Sequence, residues 1–259
     1  MMKKEINIFF TALMFYTRIP CPHWIDHSPD YLNQATRYFP LIGWIVGLAV
    51  AANIYLLSFV FTPLICIILS LIISVLITGA FHEDGLADVC DGFGGGWTKE
   101  KILEIMKDSR VGAFGAIGLL LAFMLKIATL TALLENNLWF CLKTVLLAHV
   151  SSRFMAVTVM FTHQYAREDA TAKAKPIAQE LSLTNFLLSA IWLIPAFLLF
   201  ENYWILAVLI PMYCMKIYLA YFFHRWLGGY TGDCLGATQQ LTEIVCLLAC
   251  LAVWNVFAL

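Results

Sequence analysis

Between residues 77 and 97 the chain reads ITGAFHEDGLADVCDGFGGGW: an apolar run ends at Phe81, and the next ten residues hold Glu83, Asp84, Asp88 and Asp91. Asp84, Asp88 and Asp91 fall at i, i+4 and i+7, so a helix places them on one face with neighbouring Cβ atoms about 5–6 Å apart. Two unit charges about 6 Å apart repel by roughly 3 kcal/mol at an effective dielectric near 20. A divalent cation relieves that repulsion. An oxygen-only ligand set drawn from Glu83, Asp84, Asp88 and Asp91 favours Mg²⁺, Mn²⁺ or Ca²⁺ over zinc. A solvated helix end with its acids in the first turn is the alternative, but it leaves Gly85, Gly92 and Gly94 to Gly96 unexplained. Glycines let backbone approach a bulky anion. Metal beside such backbone points to phosphate chemistry, in which the metal neutralises charge on the leaving group.

Other polar residues fit around this cluster. MKDSRVGAFG (106–115) offers Lys107 and Arg110 as cations that could grip a phosphate, with Asp108 between them. Arg153 lies inside an apolar run, where a cation is costly and calls for a phosphate or carboxylate partner. Arg167, beside Glu168 and Asp169, is a further phosphate-binding candidate or part of a solvated loop, and Asp233 lies in a glycine-rich turn, as a further ligand or as a helix cap. His82, next to the acids, could act as a base or orient a substrate hydroxyl. Lys126 and Lys216 need interior partners, Glu243 should face a bundle interior, and Lys143 should snorkel outward.

The elements that must position these residues are membrane helices. Of 259 residues, 61% are hydrophobic and 13% are charged, and the mean hydropathy is +0.81; soluble domains run at about 45–50% apolar and about 25% charged. Crossing the hydrocarbon core takes about 20 apolar residues. That length predicts about seven spans, at 40–61, 62–81, 111–134, 138–161, 183–200, 202–224 and 238–258, in a single all-α bundle over residues 1–259. Residues 5–17 read as an amphipathic helix at the membrane surface, stopped by Pro20 and Pro22. The short turns at Thr62-Pro63, Glu135 to Asn137 and Glu201-Asn202 contain no Lys or Arg. Lys3, Lys4, Arg18, Arg37, Lys99, Lys101, Lys107, Arg110, Arg167, Lys173, Lys175 and Arg225 all fall on the other side. The positive-inside rule therefore puts the N-terminus, the long loops and every polar cluster in the cytoplasm.

Several classes drop out. The net charge of −1, with no basic tract, argues against nucleic acid. The eight cysteines form no C-x-x-C pair and most sit in apolar runs, as buried small hydrophobes do. HEDGL starts like a zinc-protease helix, but Leu86 stands where H-E-x-x-H needs its second histidine. The N-terminus mimics a signal peptide without a small-residue cleavage site.

TGAFHEDGLADVCDGFGG, IMKDSRVGAFG, YAREDA and GGYTGDCLGATQQLTE together resemble the cobalamin-5'-phosphate synthase (adenosylcobinamide-GDP ribazoletransferase) family, and the likeness runs from TRIPCP (17–22) and YFPLIGWIVG (38–47) to the last span. The resemblance implies a Mg²⁺-dependent, multi-pass enzyme of the bacterial inner membrane, acting in the last stage of coenzyme B12 assembly. It would join adenosylcobinamide-GDP to α-ribazole, or to α-ribazole 5'-phosphate, and release GMP. Its acidic motif maps onto Glu83, Asp84, Asp88 and Asp91 as metal ligands. Its KDSR maps onto Lys107, Asp108 and Arg110, and its TGD onto Asp233. Asp91, Asp108 or His82 would take the hydroxyl proton, and Arg110 or Arg153 would offset leaving-group charge. Expected partners are the two substrates, the lipid bilayer and a second copy of the chain in a homo-oligomer. One departure is AREDATAKAKPIA, where many members read A-R-E-D-G-L.

Two rival readings stand beside this one. CDP-alcohol phosphotransferases use D-x2-D-G-x2-A-R-x8-G-x3-D-x3-D; Asp88, Asp91 and Gly92 match its opening, but FGGG displaces the Ala-Arg and the later aspartates are absent. A cation-coupled transporter would bind its ion at Asp84, Asp88 and Asp91, with Lys126 and Lys216 along the path. Transporters place such residues near mid-membrane, whereas the polar clusters here are one-sided.

Overall fold

Two consecutive left-handed residues set the direction of the acidic segment. Gly79 has φ 66° and Ala80 φ 59°, a conformation that glycine adopts freely and alanine at a cost of about 1–2 kcal/mol. They end one helix, α4 (Pro63–Thr78), and start the next, α5 (Phe81–Gly95), at 91° to it. The carboxylates therefore lie on a helix that turns across the bundle instead of continuing the span.

The computed structural model describes residues 2–25, 29–166 and 181–257, which form helices and no strand apart from an isolated bridge between Tyr165 and Tyr230. Before α4 come α1 (Met2–Tyr16), α2 (Pro29–Ala35) and α3 (Phe39–Leu57). After α5 come α6 (Lys99–Ile105), α7 (Ala113–Asn136), α8 (Leu138–Thr162), α9 (Leu183–Ile191), α10 (Leu193–Leu198), α11 (Leu209–Leu227) and α12 (Gly232–Phe257). α8 forms the core. In its most apolar stretch 89% of residues are buried, against 33% in α7, so α7 leaves two thirds of that stretch for lipid. α3 and α12 pack on either side of α8, and α5 is wedged between α12 and α7.

Among the described residues five helices are long and apolar enough to cross a membrane, or six if the bent pair α4–α5 is one span, where the sequence predicts about seven. The difference falls at 183–200, which breaks into α9 and α10. Pro195 has no N–H to bond Ile191, where α9 stops. The predicted span at 62–81 ends at Thr78 because of the left-handed turn. The last helix begins at Gly232, not 238, which draws Asp233 into its first turn. The N-terminal helix is less superficial than expected: Ile8 and Ala12 are fully buried, and the Tyr16 ring stacks on Phe39 at 4.1 Å.

Candidate functional site

α5 is held at close quarters. A Cβ on Gly85 would lie 2.9 Å from the Asp233 carbonyl oxygen and 3.2 Å from the Gly236 Cα, so the α5–α12 crossing needs hydrogen at that position. The crossing brings the TGD turn beside the acidic helix. Thr231, not Asp233, caps α12, its Oγ1 accepting from the Cys234 N–H at 3.3 Å. The Thr231 hydroxyl also donates to Asp233 Oδ2 at 3.3 Å.

Helical geometry divides the four carboxylates. Asp84 is exposed, and Asp88 and Asp91 are half-buried on the same side. Glu83, about 100° round the helix, points into the bundle at 7% exposure. There its Oε1 accepts from Gln240 Nε2 at 3.0 Å. Asp91 is committed to its neighbour. Its Oδ2 accepts from the Gly112 N–H at 2.7 Å and its Oδ1 from the Gly115 N–H at 2.8 Å. Gly112 is the N-cap of α7, so a side chain of α5 satisfies the orphan donors that open α7. Among the described residues no three His, Cys, Asp or Glu side chains converge as a closed metal cage. Asp84 and Asp88, one turn apart on the open face, match what Mg²⁺ uses when substrate phosphates complete its shell, one or two carboxylates at most.

Asp91 thereby fixes the segment that carries KDSR. Arg110 donates from Nη2 to Asp108 Oδ2 at 2.5 Å and from Nε to Oδ1 at 3.0 Å, and its backbone N–H reaches Oδ1 at 3.1 Å. The Arg110 side chain and backbone hydrogen bonds hold the Asp108 carboxyl down to about 2. Asp108 is thus a fixed anion, and Lys107 is exposed in the same segment. His82 is 2% exposed, its ring 5.6 Å from that of Phe39 and stacked on it. Arg153 is 1% exposed. It donates from Nη1 to the His149 carbonyl at 2.8 Å, with its guanidinium 5.8 Å from the centre of the Phe39 ring. His82 Nε2, Glu83 Oε2 and Arg153 Nε have no hydrogen-bond partner among the described residues. Arg167, with Glu168 and Asp169, lies outside the described residues.

The sequence reading missed a polar network beneath α5. Lys126 of α7 donates to Glu243 Oε1 at 2.6 Å and to Gln240 Oε1 at 2.7 Å, both on α12. Gln239 Nε2 donates to Glu243 Oε2 at 2.6 Å and to Ser152 Oγ at 3.0 Å. Its signal was present: Gln239, Gln240 and Glu243 share a helical face inside an otherwise apolar run. Lys216 finds its partner in Thr162 Oγ1 at 3.0 Å. With Lys126 neutralised by Glu243, the two lysines do not describe an ion path.

A family model described as cobalamin-5-phosphate synthase matches residues 8–251. A protein of Shewanella frigidimarina named adenosylcobinamide-GDP ribazoletransferase is 44% identical over 259 residues, covering 96% of each chain. Proteins of the same name from Leptospira interrogans and Shewanella amazonensis are 46% and 43% identical, with 98% of each chain covered. No solved structure matches the chain.

Proposed function

Because the chain belongs to the cobalamin-5-phosphate synthase family, we propose that it is an adenosylcobinamide-GDP ribazoletransferase of the last stage of coenzyme B12 synthesis. The acceptor is α-ribazole or its 5'-phosphate, and GMP is released. A hydroxyl oxygen of the acceptor ribose attacks the phosphorus bonded to the cobinamide arm. The bond from that phosphorus to the bridging oxygen breaks, GMP leaves with that oxygen, and the hydroxyl proton is released. The observation that carries this reading is the α5–α12 crossing. It seats the acidic motif, the TGD turn and, through Asp91, the KDSR segment around one end of the bundle.

Asp84 and Asp88 would hold Mg²⁺, which when bound supplies charge neutralisation on the pyrophosphate. Asp91 serves the same site by holding the start of α7 and with it Lys107 and Arg110 near the phosphates. Arg110 is already paired with Asp108, so a phosphate must share or displace that carboxylate. Arg153 is a buried cation with Nε unmatched, suited to oppose anionic charge from below. The Lys and Arg distribution supports a cytoplasmic site in the bacterial inner membrane.

The test is nucleotide release from purified protein in liposomes, supplied with adenosylcobinamide-GDP and α-ribazole with and without Mg²⁺. GMP and a cobalamin product in equal amounts, both dependent on Mg²⁺, are expected. Folded protein that forms neither refutes the reading.

A further inference from the structure

Lys126 decides the orientation of two amides. An ammonium only donates, so the Gln240 atom 2.7 Å from it must be the carbonyl oxygen, and the Gln240 NH₂ faces the other way. Its hydrogens go to Glu83 Oε1 at 3.0 Å and to Gln239 Oε1 at 2.9 Å. Gln239, accepting there, must in turn donate from its own NH₂ to Glu243 and Ser152. Every hydrogen of both amides is committed, and the chain of bonds ends at Glu83. One oxygen of that carboxylate is held; the other, Oε2, is buried without a partner. A buried acceptor left unmatched is expensive, and the network that fixes it spans α5, α7, α8 and α12.

We infer that Gln240 is a positioning residue, and that it holds Glu83 so that Oε2 accepts a hydrogen bond from the attacking hydroxyl of the acceptor sugar. This rests on the ribazoletransferase reading and adds to it a subsite distinct from the aspartate face. The chemistry selects the ligand. A carboxylate oxygen backed by an N–H donor accepts hydrogen bonds and repels anions. Of the groups that meet in this reaction, the phosphates are anionic, and the hydroxyl is the donor. Glu83 is thus assigned to the acceptor, and Asp84 and Asp88, beginning about 100° round α5, to the donor pyrophosphate that the hydroxyl must reach.

The experiment compares Gln240→Glu with Gln239→Glu and with the exchange Glu83→Gln/Gln240→Glu. It measures the KM for α-ribazole, the KM for adenosylcobinamide-GDP, and the melting temperature. Gln240→Glu keeps an oxygen for Lys126 but cannot donate to Glu83. The KM for α-ribazole should rise about tenfold or more, as for a lost hydrogen bond to a charged group, with the KM for adenosylcobinamide-GDP unchanged. Gln239→Glu makes the same charge change at the same depth and keeps its acceptor for Gln240. It should lower the melting temperature and leave both KM values within about threefold. The exchange restores a donor–acceptor pair between positions 83 and 240, so it should recover the melting temperature but not the KM for α-ribazole. Recovery of that KM with the melting temperature would show that the pair is only structural and overturn the inference. So would equal KM changes for both substrates in Gln240→Glu. If Gln240→Glu does not fold, Glu83→Gln decides alone, since it keeps the Gln240 bond and replaces Oε2 by NH₂. An unchanged KM for α-ribazole in that variant ends the proposal. Wild type that releases no GMP ends the ribazoletransferase reading and this one with it, an outcome separate from all of these.

Discussion

The two sides of α5 are built from the same residue types and do opposite work. Asp84 and Asp88 stand on the open side, Asp84 exposed and Asp88 half-buried. Glu83, one residue away, is buried and tied to Gln240, Lys126 and Glu243 through successive hydrogen bonds. The open side turns its carboxylates outward, whereas on the inner side one oxygen of Glu83 is spent on Gln240 and Oε2 stays buried and unmatched among the described residues. A single turn of helix therefore separates Asp84, whose loss should show in turnover alone, from Glu83, whose network runs on to the residues, Lys126 and Glu243, whose loss should show first in the fold. Asp91 is the join between the two, half-buried, with each oxygen accepting a backbone N–H from the start of α7.

The largest effect is expected on the inner side. Lys126→Met leaves Glu243 buried at 4% exposure with Gln239 and His149 as its remaining polar partners among the described residues, and breaking one partner of a buried pair costs about 3–5 kcal/mol. The melting temperature in detergent should fall accordingly. Lys126→Met/Glu243→Leu removes both charges and should recover most of the loss. A single variant as stable as wild type would mean that the network carries no structural weight.

Next in size is the open side. Asp84→Asn should lower the rate of GMP release about a hundredfold or more, because even outer-shell partners of a metal cost 10–100-fold. Its melting temperature should be unchanged, since the residue is exposed and such substitutions fall within about 0.5 kcal/mol. Calorimetry of the resting protein should show weaker Mg²⁺ binding by the variant. Full activity with undiminished Mg²⁺ affinity would remove Asp84 from the metal site. Loss of fold in this variant would erase the contrast between the two sides.

Asp91 should show both behaviours at reduced size. Asp91→Ala leaves the Gly112 and Gly115 N–H groups without their acceptor, and a lost helix cap costs about 0.5–2 kcal/mol. The segment bearing Lys107 and Arg110 is then released, so the KM for adenosylcobinamide-GDP should rise together with a modest fall in melting temperature. Asp91→Asn keeps one acceptor oxygen and should lie between Asp91→Ala and wild type in both measurements. If Asp91→Asn were silent in stability and dead in turnover, Asp91 would belong with Asp84 as a ligand, not as the join.

How far the sequence made this division legible follows from which rule governs each part. The i, i+4, i+7 spacing requires only a local helix, so the shared side of Asp84, Asp88 and Asp91 is readable without tertiary knowledge. The inward turn of Glu83 depends on which side of α5 meets α12. That in turn depends on the right-angled bend at Gly79 and Ala80. Alanine gives no sign that it will take a left-handed conformation, so the run to Phe81 reads as one straight span. Likewise the tie of Asp91 to α7 is not readable from the string of acids, because its N–H partners lie 21 and 24 residues further on. Glu243 was expected to face the interior from its place in an apolar run, and it does. Its pairing with Lys126, 117 positions earlier, needed the packed bundle to be seen. Pro195 is the opposite case: its effect on a helix is local, and a count of apolar residues alone passed over it.

The smallest effect separates local charge pairing from the site itself. Asp108 and Arg110 are two residues apart on the segment that Asp91 anchors, and their hydrogen bonds hold the Asp108 carboxyl at about 2, below the ordinary 3.8. A carboxylate depressed in the folded state contributes stability that is present above its unfolded value and is lost as pH falls through the folded one. The pair should therefore stay intact down to about pH 3 and open only as pH nears 2. Both groups are at the surface, where water and salt screen the pair, so its opening should leave the melting temperature unmoved. Carbon-13 spectra of labelled aspartate should place the Asp108 midpoint near 2, and Arg110→Ala should return it towards 3.8. Adding a pyrophosphate-bearing substrate analogue to wild type sharpens the comparison with α5. If Arg110 turns from Asp108 to the phosphate, the Asp108 midpoint rises in the complex. If it does not move, Arg110 is a fixture of the 107–112 segment, and the phosphate is gripped by Lys107 and the open side of α5.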